Sequence, residues 1–219
     1  SYYMNEDNLM DLVEKFMLKR TKAEVGMILP DLTIKNETVA WGSEEEKSLA
    51  ENFHGVLKFT SATINKDFSP EIQEQCGSTL QALMRARQMC VLPEMIPISM
   101  NGKENMQDKV NKVVADILSS DKETKKIVFC HFHREIEVIR DKLKEEGKIV
   151  EIIEGSTSYR ERTRILDEKP EILILQINTG CEGLNLQEYS EIYFVSPHWN
   201  PAVEDQAIAR CHRLGQTKP

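Results

Sequence analysis

No stretch of this sequence approaches the roughly 20 consecutive apolar residues that a membrane helix requires, so no membrane partner is expected. The opening Ser1-Tyr2-Tyr3-Met4-Asn5 lacks the basic-then-apolar order of a secretory signal. Cysteine is sparse. The five are Cys76, Cys90, Cys130, Cys181 and Cys211, an odd number with no C-x-x-C pair. That excludes a disulfide framework and a zinc ribbon or RING, and leaves an intracellular, reducing compartment as the expectation. Internal repeats and low-complexity tracts are missing. So is positive charge: the net charge is −8 and the pI about 5.3. Bulk charge therefore does not point to nucleic acid, and any such contact has to come from a local patch. There is no G-x-x-x-x-G-K-[ST] loop. The Gly-Lys pairs, Gly102-Lys103-Glu104 and Gly147-Lys148-Ile149, lack the Ser or Thr that such a loop ends on. A D-E-x-H box is absent too; Asp167-Glu168-Lys169-Pro170 imitates it but ends a helical pattern. The chain is not expected to hold a nucleoside triphosphate in P-loop fashion by itself.

What remains is 219 residues, enough for one large domain or a domain with an appendage, reading as a stretch of a longer protein. The first half is helical in pattern. Residues 5–20 carry Leu9, Leu12, Val13, Phe16 and Met17 on one stripe. Residues 30–42 suit an extended segment. Ser43 followed by Glu46 fits a capping box opening a helix to about Phe53. A longer helix is predicted over 70–91, a loop over 94–106 and a helix over 107–120. From Lys125 the texture changes. Apolar runs at 127–130, 149–153, 172–177 and 192–195 predict buried strands. Between and after them, residues 134–146, 158–167 and 201–212 predict helices. That alternation indicates a parallel sheet covered on both faces, where function gathers at the carboxyl ends of the strands.

Two segments after strands carry chemistry. Gln176-Ile177-Asn178-Thr179-Gly180-Cys181-Glu182-Gly183-Leu184-Asn185-Leu186 has two glycines that let backbone approach a phosphate, with Asn178 and Thr179 as donors. An ordinary strand-to-helix turn would read the same way. After the fourth strand come His198-Trp199-Asn200-Pro201 and then Gln206, Arg210 and Arg213. Spaced on a helix, these three share a face. Two guanidiniums and an amide projecting together suit the charge on a transferring phosphoryl group. The competing reading is a solvated face paired with Glu204 and Asp205. Cys130-His131-Phe132-His133 offers only His131 and His133 on one side of a strand, too few ligands for zinc, and no metal site is expected.

Taken in order, these segments resemble a known family. Gln206-Ala207-x-x-Arg210-x-His212-Arg213-x-Gly215-Gln216 resembles motif VI of the Swi/Snf group of helicase superfamily two, whose H-R-x-G-Q ending differs from the H-R-x-G-R of DEAD-box proteins. Gly180 to Leu186 resembles motif V, Trp199-Asn200-Pro201 the W-N-P element, and Lys126 to Phe132 motif IV. Gly155-Ser156-Thr157 with Arg160 and Arg162 resembles the element after it. Upstream, Phe16 to Lys22 resembles the basic block leading into this lobe, and Ala82 to Cys90 the helix before it. The W-N-P-A-V-E-D-Q-A form is closest to the branch of RING-bearing repair translocases, and no RING is present here. One departure stands out: motif V commonly has a Lys-Ala-Gly-Gly core, and Asn178-Thr179-Gly180-Cys181 lacks that lysine.

The resemblance implies an α/β, RecA-like three-layer domain with a mainly parallel sheet, preceded by a helical N-terminal extension. Residues 1–106 would be the helical lead-in and linker, and residues 107–219 the helicase C-terminal core. ATP and Mg2+ would be held mainly by an N-terminal RecA-like lobe of the same protein. This lobe would supply Arg210 and Arg213 as catalytic groups, with Gly183, Asn185 and Gln206 as further ATP contacts. His133, Arg160, Arg162, Asn178, Thr179 and Trp199 would face the backbone of double-stranded DNA; for the two arginines a salt bridge to Glu161 or Asp167 competes. The implied function is the C-terminal lobe of an ATP-driven duplex-DNA translocase of chromatin-remodelling, repair or transcription type. It would act in the nucleus or another site of DNA metabolism and be inactive in isolation. A non-catalytic, motor-derived interaction module and a strand-separating helicase are the alternatives; the H-R-L-G-Q ending counts against the second.

Overall fold

A computed structural model of the protein describes residues 28–56, 70–98, 102–177 and 184–216, with Lys15–Met17, Glu24 and Gly26. The helix expected over 5–20 and the basic block beside it therefore lie almost wholly outside the described residues. Helix α1 spans Glu44–Val56. Its capping box forms with a shifted return arm: Glu46 N–H donates to Ser43 Oγ (3.1 Å), while the Glu46 carboxylate accepts from Gly42 N–H (3.3 Å), one residue before the cap. The single helix expected over 70–91 is in fact two, α2 (Pro70–Gln75) and α3 (Thr79–Met89). The chain stops at Cys76-Gly77 and restarts because Ser78, in extended backbone, accepts the Gln81 N–H at 3.2 Å and so caps a new helix. Short 3-10 turns at Pro93–Met95 and Lys103–Asn105 interrupt the loop that follows. Phe53, Met89, Ala86, Ile72, Ile96 and Ile98 form the core of this helical part.

The second half is built on four strands, β1 (Lys126–Cys130), β2 (Val150–Ile153), β3 (Ile172–Gln176) and β4 (Glu191–Phe194), in the order β2-β3-β1-β4 with every pairing parallel. Alternation sorts their side chains. Val128, Cys130, Ile172 and Ile174 face one side, where Val110, Val114 and Ile117 of α4 (Asp108–Ser119) and Ile136, Ile139 and Leu143 of α5 (His133–Glu145) cover them. Ile127, Phe129, Leu173 and Leu175 face the other. There they meet Ile165 of α6 (Tyr159–Glu168) and Ala207 and Cys211 of α7 (Pro201–Cys211). Phe129 stacks on Phe194 with ring centroids 5.0 Å apart. The result is the expected three-layer α/β sandwich. Val91 and Leu92 pack into the first of these layers, so the helical part is continuous with the sheet's core. At the head of β1, Lys126 is buried, and its ammonium donates to the carbonyls of Asp121 and Thr124, both at 2.6 Å. Among the described residues no helix is long and apolar enough to cross a membrane.

Candidate nucleotide and DNA interface

Parallel strands deliver four loops to one edge of the sheet, and the sequence-predicted DNA contacts follow all four strands, those after β3 lying outside the described residues. After β1, His131 and His133 do not share a side as expected, because His133 is already the first residue of α5. His131 turns toward Arg87 and Ser196, whereas His133 Nδ1 lies 2.8 Å from Glu154 Oε2 in the loop after β2. Among the described residues no group of three or more His, Cys, Asp or Glu could hold a metal. In that β2 loop Arg162 turns toward the backbone. Its guanidinium donates to two backbone carbonyls, Thr157 O and Glu154 O, both at 3.0 Å, so the side chain shapes the Gly155-Ser156-Thr157 turn. Arg164 bonds Glu161 and Glu168. Arg160 is exposed on the first turn of α6. Gly155 N–H reaches Gln176 Oε1 at the end of β3 (3.4 Å), which ties this turn to the strand leading into motif V. Asn178, Thr179 and Gly183 lie outside the described residues.

The loop after β4 carries Trp199, 56% exposed, and here the structure adds residues that sequence reasoning did not single out. Arg87 arrives from α3. Its Nη2 donates to Pro197 O at 2.9 Å and meets His131 Nε2 at 3.0 Å, while its guanidinium carbon lies 5.2 Å from the Trp199 ring centroid. His131 in turn stacks on His198 at 5.4 Å. Burial, then the neighbouring Arg87 charge, push the His131 imidazole down to about 4, so it is neutral near pH 7. Beneath it Glu135 is fully buried. Its Oε2 accepts the N–H groups of His131 (2.8 Å) and Phe132 (3.0 Å), and burial pushes its carboxyl up to about 7. The other oxygen, Oε1, has no hydrogen-bond partner among the described residues.

Helix α7 begins at this edge. Asn200 caps it, accepting the Ala202 N–H at 3.1 Å, Pro201 occupies its first position, and Glu204 accepts the His198 N–H at 2.6 Å. Eleven residues at about 1.5 Å each carry it some 16 Å back across the sheet. The helix stops at Cys211, so Arg210 and Arg213 do not share a helical face. Arg210 sits half-buried in the last turn; Arg213 lies exposed in the turn beyond, its N–H bonded to Cys211 O. That end is tied to the segment after motif V. Leu186 N–H donates to Arg210 O (3.2 Å), and the Gln216 amide donates to Gln187 O (3.0 Å) and Tyr189 O (3.2 Å). Gly215 adopts φ +99 with the Gln187 side chain where a Cβ would stand, so this turn needs glycine. His212 Nε2 lies 2.8 Å from Pro30 O, fastening the extended segment before α1 to the same turn. Among the described residues neither arginine forms an ion pair, against the reading that Glu204 and Asp205 neutralise them. Gln206 and Asn185 are exposed. The distinguishing glutamine of the H-R-x-G-Q ending thus has a physical role, holding motif V's tail against motif VI.

Comparison with known proteins agrees with this order of elements. Residues 108–215 match the helicase conserved C-terminal domain. The helicase-like transcription factor of Oryctolagus cuniculus is 30% identical over 138 residues, covering 57% of this chain and 14% of that protein. The DNA repair protein RAD5 of Candida albicans is 38% identical over 105 residues, covering 43% of this chain and 10% of that protein. The chain therefore spans a small part of the length of these relatives. Among solved structures, the Sulfolobus solfataricus SWI2/SNF2 ATPase core in complex with dsDNA superposes with a TM-score of 0.58 at 21% identity, over 97% of this chain and 45% of that one, which establishes the fold. With its parallel-sheet lobe and its motifs in the order described, the chain carries a helicase conserved C-terminal domain over residues 108–215 and is similar there to relatives such as the helicase-like transcription factor and RAD5.

Proposed function

We propose that this chain is the arginine-bearing lobe of an ATP-driven translocase on double-stranded DNA, acting in the nucleus or another site of DNA metabolism. Residues 107–219 would be its motor core and residues 1–106 its helical lead-in. The observation that carries the reading is the tie between motifs V and VI, in which Gln216 and Arg210 O hold the 186–189 segment while Arg210 and Arg213 stay clear of described carboxylates. Guanidiniums without a carboxylate partner present uncompensated positive charge to an anionic partner, which is what stabilising a transferring phosphoryl group demands. The donor set fits that part of the chemistry and not the whole of it. No P-loop stands in the sequence, so ATP and Mg2+ would be held mainly by an N-terminal lobe, and this chain alone would not turn ATP over. ATP would supply the transferable γ-phosphoryl; Arg210 and Arg213 would place positive charge beside it, with Gln206, Asn185 and Gly183 as further contacts.

The strand-end loops would meet the DNA backbone, with His133, Arg160, Arg162, Asn178, Thr179 and Trp199 as the contacting set. Arg162 acts there through the turn it builds. Such contacts are sequence-independent and salt-sensitive. The relatives' names, a helicase-like transcription factor and a DNA repair protein, agree with DNA as the substrate class. The test is ATP hydrolysis by the full protein with and without duplex, beside this chain alone. Stimulated turnover in the first and none in the second supports the reading.

A further inference from the structure

We propose that Arg87 is a positioning residue for Trp199, reaching from the helical segment to fix the tryptophan at the edge where duplex DNA would bind. The proposal rests on the DNA role given to Trp199 above. Trp199 is a large aromatic side chain more than half exposed, so burial does little to select one rotamer. Two neighbours select it instead. The His198 ring meets it edge-on at 6.2 Å, and the Arg87 guanidinium lies over its face at 5.2 Å.

Arg87 is itself held. Pro197 O accepts from its Nη2, and the His131 ring, whose own backbone N–H is fixed by the buried Glu135, stands 3.0 Å from the same nitrogen. Behind it, Ala86 and Met89 are buried in the helical core, so α3 gives the arginine a rigid base. A planar guanidinium can stack on a ring and donate to a carbonyl in one geometry, which an ammonium cannot. Its effect would be to order Trp199 before DNA arrives, removing the cost of immobilising that side chain on binding. The helical segment would then take part in DNA contact without touching DNA.

The test needs Trp199 as the sole tryptophan. The chain has two, so Trp41→Phe provides the background. In it, Arg87→Ala is expected to increase acrylamide quenching of Trp199 in the absence of DNA, with Arg87→Lys in between. Duplex affinity should fall about fivefold in Arg87→Ala, the scale of one cation–π contact. It should fall no further in Arg87→Ala/Trp199→Ala than in Trp199→Ala alone. The dependence of log Kd on log salt should keep its slope. A slope shallower by about 0.9 in Arg87→Ala would mean that Arg87 contacts a phosphate directly, and would overturn the positioning role. Unchanged quenching of Trp199 would overturn it as well. Full duplex binding by Trp199→Ala would instead remove the DNA role of Trp199, a separate failure, because quenching reads its position without DNA.

Discussion

The two ends of helix α7 are built on opposite plans. At its start, around Trp199, every candidate side chain with a described contact is engaged within the protein: His133 with Glu154, Arg162 with two carbonyls, Trp199 with Arg87. At its end, the backbone is fastened by Gln216 and Leu186 while Arg210 and Arg213 have no described ion pair. The first plan suits a surface that must present a fixed shape to a regular polymer. The second suits charge reserved for a phosphoryl group brought by another lobe, because an arginine already paired to a carboxylate would have to lose that partner first.

The largest effect should come from the free end. Arg213→Ala in the full protein is expected to lower ATP turnover by about 10²–10³ or more while duplex affinity and thermal stability hold. Equal losses of turnover and DNA affinity would erase the distinction between the two ends. Next, substitutions at the engaged end should lower stability. Arg162→Ala removes a cation from two carbonyls and should cost about 1–3 kcal/mol in urea unfolding, whereas Arg164→Ala, whose exposed guanidinium meets only surface carboxylates, should cause no resolvable change. Gln216→Ala removes the side-chain amide's hydrogen bonds to Gln187 O and Tyr189 O and should cost about 1–2 kcal/mol, with the loss reported by hydrogen exchange in 186–189.

The subtlest test concerns pH beneath Trp199. Glu135, pushed up to about 7 from 4.5, binds its proton more tightly folded than unfolded; on its own it adds stability as pH falls from 7 toward 4.5. His131, pushed down from 6.5 to about 4, does the reverse, removing stability as pH falls from 6.5 toward 4. The two oppose each other in the intact protein. Glu135→Gln should therefore expose the histidine and make stability drop more steeply over pH 6.5 to 4; an unchanged pH profile would place the opposing group elsewhere.

Much of the fold was legible because the strands are buried on both faces, and continuous apolar runs such as Ile172–Leu175 have few other fates. Each strand and helix described in the second half ends within about two residues of expectation. The break at Cys76-Gly77-Ser78 was missed because the helical periodicity resumes after it and a serine cap looks like any polar surface residue. Arg213 was misplaced onto α7 because spacing alone cannot reveal where a helix ends. At the site, the motif residues were legible and their supports were not. Arg87 meets its partners 44 and 110 residues away in sequence, and the acceptors of Arg162 are carbonyls, which carry no side-chain identity to read.

The most direct measurement is steady-state ATP hydrolysis by the full protein, with and without duplex DNA, for the wild type and Arg213→Ala, beside this chain alone. Duplex-stimulated turnover is expected in the wild type, a loss of about 10²-fold or more in the variant, and none from the chain alone. Wild-type turnover in Arg213→Ala, or magnesium-dependent turnover by the isolated chain, would contradict the proposed function.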